Sequence, residues 1–286
     1  MRERYLCLSC AADLPLTRFW ETGHNVMADK FNDVIQRRLA AVTGGSGTAD
    51  GDVLPEVHDG LVGDSRREPY AYAAALFYYN SQAPYRKIPQ ALKYQGAIGV
   101  GRHFARMLGA RLAGSALFSD VCLVVPVPLH WIRRRKRGYN QAEVIAREIA
   151  AVLRAPMDAR LLRRRRRTRT QTRLSVAEKA ANVGGAFAVR PGRLNRWLSV
   201  PSPGSSGVLA ASDVSCTTGL PSVSGAQSVT FTLGKGLHIL LVDDVFTTGA
   251  TLEACHEALR AAFSQQGMGP DRVRISVATL AFVGRL

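Results

Sequence analysis

The residues with the clearest chemistry lie in one stretch, ILLVDDVFTTGAT, from Ile239 to Thr251. Four apolar residues lead into Asp243 and Asp244, and a small hydroxyl-rich turn follows: Thr247, Thr248, Gly249, Ala250 and Thr251. A strand that ends in such a turn and opens a helix makes an anion site. The first helical N–H groups lack intrahelical partners, and the helix dipole adds partial positive charge there. Gly249 lets the backbone approach a bound group closely. The two aspartates cannot hold the same phosphate, because like charges repel. Ionised carboxylates accept strong hydrogen bonds from neutral hydroxyls, such as those of a ribose diol. A ribose 5-phosphate has both parts, with the sugar on Asp243 and Asp244 and the 5-phosphate on Thr247–Thr251. A capped strand end with two solvated aspartates is the plain alternative.

A second group of candidates is basic. The chain carries a net charge of +16 and a pI near 10.3. Between Trp131 and Arg173, fifteen Lys or Arg stand against three acids. Such a concentration attracts polyanions: phosphate esters, pyrophosphate or nucleic acid. A solvated basic face would have the same composition. The third group is Cys7 and Cys10, which have zinc-ligand spacing but make only half of a four-ligand site. Two free thiols, or a metal shared between chains, would leave the same pair. Five scattered cysteines in all argue against a disulfide framework and for a reducing, cytoplasmic setting.

These residues need elements to position them. Among 286 residues, 47% are apolar, so a sizeable core can form. No run of eighteen apolar residues occurs, so no membrane span is expected, and MRERYLCLSC lacks the apolar region of a secretory signal. The stretch from Tyr70, with AYAAALFYYN, suits a strand. A helix is predicted over Ile98–Ala113, after Gly96. DVCLVVPVP, Asp120–Pro128, reads as a strand buried on both faces. YNQAEVIAREIAAVLR places Val144, Ile145, Ile149, Val152 and Leu153 on one helical face. Ser175 and Glu178 form a capping box. Strands are predicted at Ile239–Val242 and in VRISVATLAFV, with a helix over Ala250–Phe263 between them. Residues 191–236 are rich in Ser, Gly, Thr and Pro and read as a loose surface insertion containing Cys216. Strand and helix alternate elsewhere, which argues for an α/β fold with a mainly parallel twisted sheet flanked by helices.

With those residues in view, Ile239–Thr251 resembles the signature of type I phosphoribosyltransferases, which bind phosphoribosyl pyrophosphate (PRPP). VPVPLHWIRRRKRGYNQAEVIA, Val125–Ala146, resembles the ComF family, with Pro-Val-Pro-Leu-His, an Arg-rich stretch and Arg-Gly-Tyr-Asn-Gln. RTRTQTRLSVAEKAANVGGAF (Arg167–Phe187) and LKYQG (Leu92–Gly96) are similar to further segments of that family. The resemblance covers roughly residues 70–190 and 237–286. It implies a phosphoribosyltransferase-like domain over 70–286, interrupted at about 191–236, and an N-terminal Cys-pair and hood region over 1–69.

The resemblance also implies roles. The loop Pro128–Arg133 would hold pyrophosphate, with Leu129, His130, Arg133 and Arg137 as candidates, because Arg stabilises charge developing on a leaving diphosphate. His130 either donates to an oxygen or simply ends a strand. Arg163–Lys179 resembles the mobile loop that closes over PRPP and excludes water from a reactive ribosyl cation. Gln171, Arg173 and Lys179 are its candidates. Five arginines, Arg163–Arg167, are too dense for one small ligand, so some must face solvent or a larger anion. Mg²⁺ would arrive with PRPP, held mostly by ligand oxygens and water. ComF proteins often carry an N-terminal zinc element, to which Cys7 and Cys10 would contribute.

Two function classes follow. One is a glycosyltransferase that joins phosphoribose to an acceptor and releases pyrophosphate. The other is a non-catalytic module that handles single-stranded DNA in natural competence, with its basic groove tracking the phosphate backbone. Only Trp131 and Tyr139 interleave aromatics with the basic run, which argues against a stacking platform. The acceptor stays open, as does assembly into a homo-oligomer.

Overall fold

The computed structural model describes residues 12–43, 68–80, 82, 84–94, 96–165, 185–198, 214–216, 231–233 and 236–284. The elements that build the fold are helix α1 (Val26–Thr43), strand β1 (Ala73–Tyr78), helices α2 (Lys87–Tyr94) and α3 (Ile98–Ala113), and strand β2 (Leu123–Pro126). They continue with helices α4 (Trp131–Arg137) and α5 (Gln141–Leu153) and strands β3 (Leu162–Arg164) and β4 (Phe187–Val189). Helix α6 (Pro191–Leu198) and the short strands β5 (Val214–Cys216) and β6 (Phe231–Leu233) follow. Strand β7 (Leu237–Phe246), helix α7 (Ala250–Ser264) and strand β8 (Val273–Phe282) complete the order.

The main sheet has the order β1-β8-β7-β2, and every pair in it is parallel. Successive side chains of a strand point to opposite faces, and here both faces are covered. Ala73, Ala75, Leu123, Val125, Ile239 and Leu241 pack with Met27, Phe31 and Ile35 of α1 and Leu252, Leu259 and Phe263 of α7. Ala74, Leu76, Val124, Leu240 and Val242 pack with Leu92 of α2, Phe104 and Leu108 of α3, and Ile145 and Ile149 of α5. This double covering explains why the strands read as continuous apolar runs rather than alternating ones.

Helix α5, which follows β2 and α4, therefore packs on one face, and α7, which follows β7, on the other, although β2 and β7 are neighbours. Such a reversal, outside the carboxyl ends of two neighbouring strands, is where open α/β sheets bind ligands. The junction is stitched directly, with the Val127 amide donating to Val242 O at 2.8 Å.

Three features differ from the sequence expectations. Strand β7 runs to Phe246, past the expected end at Val242. Asp243 pairs in register with Thr279 and Val245 with Ala281 of β8, so the acidic pair is part of the sheet. The expected loop Pro128–Arg133 gives way to helix α4 from Trp131 onward. Third, the stretch read as a loose insertion opens with helix α6, which buries Leu194. Arg193 donates twice to the buried Asp158 carboxylate, at 3.0 and 2.8 Å, and Trp197 Nε1 donates to it at 2.9 Å. Those tertiary contacts order a segment whose composition argues for a loop. Further on, β5 and β6 pair antiparallel, with Cys216 opposite Phe231. The capping box at Ser175 and Glu178 lies outside the described residues.

Candidate functional site

The turn after β7 is shaped by one glycine. Gly249 has φ of 81°, and a Cβ there would meet Phe246 Cζ at 2.8 Å. Only glycine holds that left-handed position without a clash. Its geometry turns the chain from strand into α7, whose first residues are Ala250 and Thr251. Thr247 is exposed, Thr248 half-buried and Gly249 buried. From the N-terminal region, Lys30 Nζ of α1 donates to Thr247 O at 2.9 Å and lies 5.9 Å from the Phe246 ring centre. The phosphate candidates Thr247–Thr251 thus form one compact turn, braced from outside by a lysine.

Asp243 and Asp244 stand just before it. The Asp244 amide donates to Asp243 Oδ1 at 2.9 Å. Asp244 is buried, and its Oδ2 pairs with Lys93 Nζ at 3.0 Å. Burial first, and the neighbouring Asp244 charge second, push the Asp243 carboxyl up to about 7, against the opposing pull of Lys93 and Arg164. A pair of carboxylates in one desolvated place cannot both ionise cheaply. Near neutral pH the pair therefore carries a proton.

Across the junction, Leu129 is half-buried and His130 is buried. His130 caps α4: its Nδ1 accepts from the Ile132 amide at 3.4 Å. Helix α4 buries none of its seven residues, so it is held by its ends and by polar contacts. Gly138 closes it in the left-handed conformation. Arg134 pairs with Glu143 at 3.4 Å, and Arg137 donates to Gln141 Oε1 at 3.1 Å. Arg133 and Arg137 are half-buried, whereas Arg134, Arg135 and Lys136 are exposed. Four-residue spacing puts the first two on one helical face. The candidates at Arg133 and Arg137 are thus the sheltered members of the run.

In the Arg163–Arg167 run the described part divides by strand geometry, and Arg166 and Arg167 lie outside the described residues. Arg163 and Arg165 are exposed, but Arg164 is half-buried and lies over the Phe187 ring at 5.1 Å. Burial, then the nearby Arg133 charge, lowers the Arg164 guanidinium's proton affinity. Arg164 also acts on Asp243. This arginine is therefore within electrostatic reach of both Arg133 on the basic helix and the acidic pair. Gln171, Arg173 and Lys179 lie outside the described residues, as do Cys7 and Cys10. Among the described residues, no group of three or more His, Cys, Asp or Glu is arranged to hold a metal.

Sequence reasoning did not single out Lys93, Lys30 or Arg164 individually. Lys93 lay within LKYQG. Arg164 could have been found by reading β3 as a strand, since its period of two turns one arginine inward between two that point out. Nothing local marks Lys30.

Known proteins share parts of this chain. It is 29% identical over 103 residues to "Competence protein F" of Haemophilus influenzae, which is 35% of this chain and 45% of that protein. It is 24% identical over 204 residues to "DNA utilization protein YhgH" of Salmonella typhimurium, covering 70% and 71% of the two chains. The ComF resemblance holds. A Salmonella typhi protein of the same YhgH name is 28% identical over 130 residues, 45% of this chain and 39% of that one. The matched part is thus less than half the length of the Haemophilus ComF relative. No family model and no solved structure matches the chain. Among the described residues, no helix is long and apolar enough to cross a membrane.

Proposed function

We propose that the crevice between the ends of β2 and β7 binds PRPP or a related ribose 5-phosphate ligand. The observation that carries this reading is the placement of Asp243 and Asp244 immediately before the Gly249 turn, at the point where the sheet reverses its winding. The ribose hydroxyls would donate to the acidic pair. The 5-phosphate would take the amides and hydroxyls of Thr247–Thr251. The diphosphate would face Leu129, His130 and the guanidinium groups of Arg133 and Arg137, with Gln171, Arg173 and Lys179 on a covering loop. Mg²⁺ would come with the diphosphate, because two aspartates are too few for a protein cage and the ion keeps water and phosphate oxygens.

In the enzymatic form of this reading, an acceptor nucleophile bonds to the ribose C1 as the C1–O bond to diphosphate breaks. Pyrophosphate leaves with the electron pair. Half-buried arginines oppose its developing charge. Residues 1–69 would supply the hood that recognises the acceptor, which the reach of Lys30 to Thr247 supports. The setting would be cytoplasmic, and the names of the relatives suggest a role in competence or DNA utilisation.

Calorimetric titration of Mg–PRPP into the wild type, beside a variant with Asp243→Asn and Asp244→Asn, tests the reading. Hydrogen bonds to charged groups contribute roughly 1.5–3 kcal/mol each, and the variant replaces the one charge the pair carries near neutral pH by a neutral amide, so binding should weaken by about tenfold or more. Equal affinity of the two proteins would end the proposal.

A second reading has its own observation. Trp131, 65% exposed, and Tyr94, 76% exposed, flank the solvent-facing Arg134, Arg135 and Lys136. Arg137 stacks 5.5 Å from the Tyr94 ring centre. Exposed rings beside a cationic face suit single-stranded DNA, whose bases stack on aromatics. Trp131→Ala should weaken binding of a short oligothymidylate severalfold and leave Mg–PRPP binding intact. Unchanged oligonucleotide binding would remove this second reading.

A further inference from the structure

Lys93 lies in the last turn of α2. Its ion pair with Asp244 joins two partly sheltered groups, 28% and 12% exposed. The helix beneath it is fixed. Tyr139 Oη donates to Leu92 O, Gln141 Nε2 donates to the same oxygen at 3.5 Å, and Arg137 stacks on Tyr94. Those three residues belong to the segment that ends α4 and begins α5. The element carrying the lysine is therefore tied to the element carrying the diphosphate candidates. What stays adjustable is the flexible four-carbon stem of Lys93, which carries a compact charge with three donors.

An ionised carboxylate has a limited set of lone pairs and is acceptor-only. A ribose diol donating to Asp244 must share it with the ammonium or displace it. A displaced ammonium at a half-open crevice loses its counter-charge and gains most by meeting an anion within reach of its stem. Arg164, which like Lys93 acts on Asp243, already adds positive charge there, so the anion that relieves Lys93 comes with the ligand.

We propose that Lys93 is a transferable cation: paired with Asp244 in the empty crevice, it moves to an anionic group of the ligand when a ribose diol takes Asp244. It is then a ligand-binding residue that couples the sugar position to the diphosphate position. The proposal rests on the crevice reading given above. Coupling between two binding positions is reciprocal, so each half of the ligand strengthens the other by the same factor.

The test uses the two halves separately: ribose 5-phosphate, and inorganic pyrophosphate with Mg²⁺. Each is titrated alone and then in the presence of the other at saturation. In the wild type, each half should tighten the other by about five- to tenfold, the low end of typical coupling between sites. In Lys93→Met, two anions remain with no mobile cation between them, and the coupling should vanish or turn antagonistic. Lys93→Arg keeps a mobile charge and should keep cooperative binding. A merely structural lysine would weaken both halves alike and leave the ratio unchanged. Both halves binding the wild type independently, or full coupling persisting in Lys93→Met, overturns the transfer and leaves the crevice reading standing. Binding of neither half by the wild type overturns both. Thermal unfolding of Lys93→Met near that of the wild type keeps the comparison one of function.

Discussion

Asp243→Asn should make the unliganded protein more stable at alkaline pH while it damages the proposed ligand site. The Asp243 carboxyl is raised from 3.8 to about 7, chiefly by burial and then by Asp244. Between those values the folded state holds a proton that the unfolded chain has released. The unfolded state therefore binds fewer protons, and stability falls as pH rises through this window. Above about 7 the folded carboxylate is charged and the full penalty is present. Asparagine does not titrate, so the variant escapes the fall. Raising the pH from about 5 to about 8 takes the wild type through roughly the upper two pH units of that window. At about 1.36 kcal/mol for each pH unit, the loss is at most about 2.7 kcal/mol. Asp243 keeps part of its surface open and shares its proton with a neighbour, so about 1 kcal/mol is the figure to expect after solvent screening. Urea unfolding of both proteins at about pH 5 and about pH 8, without ligand, measures it. The variant's advantage should grow with pH. A difference that stays constant with pH, or shrinks, would refute the claim that burial and Asp244 hold this carboxyl protonated.

Three further outcomes follow from the geometry. Gly249→Ala forces a Cβ to within 2.8 Å of Phe246 Cζ at a φ of 81°, and should cost about 1–3 kcal/mol of unfolding free energy together with loss of phosphate-ligand affinity. Chemical denaturation and titration report the two parts. Arg260→Ala leaves Glu68, whose side chain is 5% exposed, without the cation that also donates to Val273 O at 2.7 Å. Breaking such a buried pair costs at most about 3–5 kcal/mol, less here because His256 Nε2 stays 3.1 Å from Glu68 Oε1, and a shift of the denaturation midpoint would register it. For Asp158, burial opposes ionisation, but the bonds from Arg193, Trp197 and the Arg160 amide outweigh it and lower the carboxyl's pKa. Its contribution is present above the ordinary carboxylate range and lost as pH falls through the lowered value. Asp158→Asn should therefore flatten the acid limb of the stability profile and loosen α6, visible as faster amide exchange at Leu194.

Much of the frame was legible because it rests on local signals. Gly96 and Gly114 bracket α3 at the predicted Ile98–Ala113, and the apolar run before Pro126 is a strand buried throughout. The acidic pair and its turn were read from residue type and spacing alone, and they lie together as the sheet requires. What sequence could not supply are groups brought in from distant elements. The Asp244 partner is Lys93, and the brace on Thr247 is Lys30. Helix α6 is held by Asp158 through Arg193 and Trp197, contacts that no composition window contains. The end of the expected loop Pro128–Arg133 is helical, which was hidden because α4 buries no side chain and so has no apolar period to read. Its capping residues, His130 and Gly138, are the signals that mark it.

The most direct test of the account is where the ligand protects the backbone. Amide hydrogen exchange should be followed with and without Mg–PRPP, peptide by peptide. The account predicts slowed exchange in two separate segments, Asp243–Leu252 and Leu129–Arg137, with Leu194 and its helix unchanged. Protection confined to the exposed face around Trp131 and Tyr94, or none at all, would contradict the claim that the acidic pair and the Gly249 turn form one phosphoribosyl site.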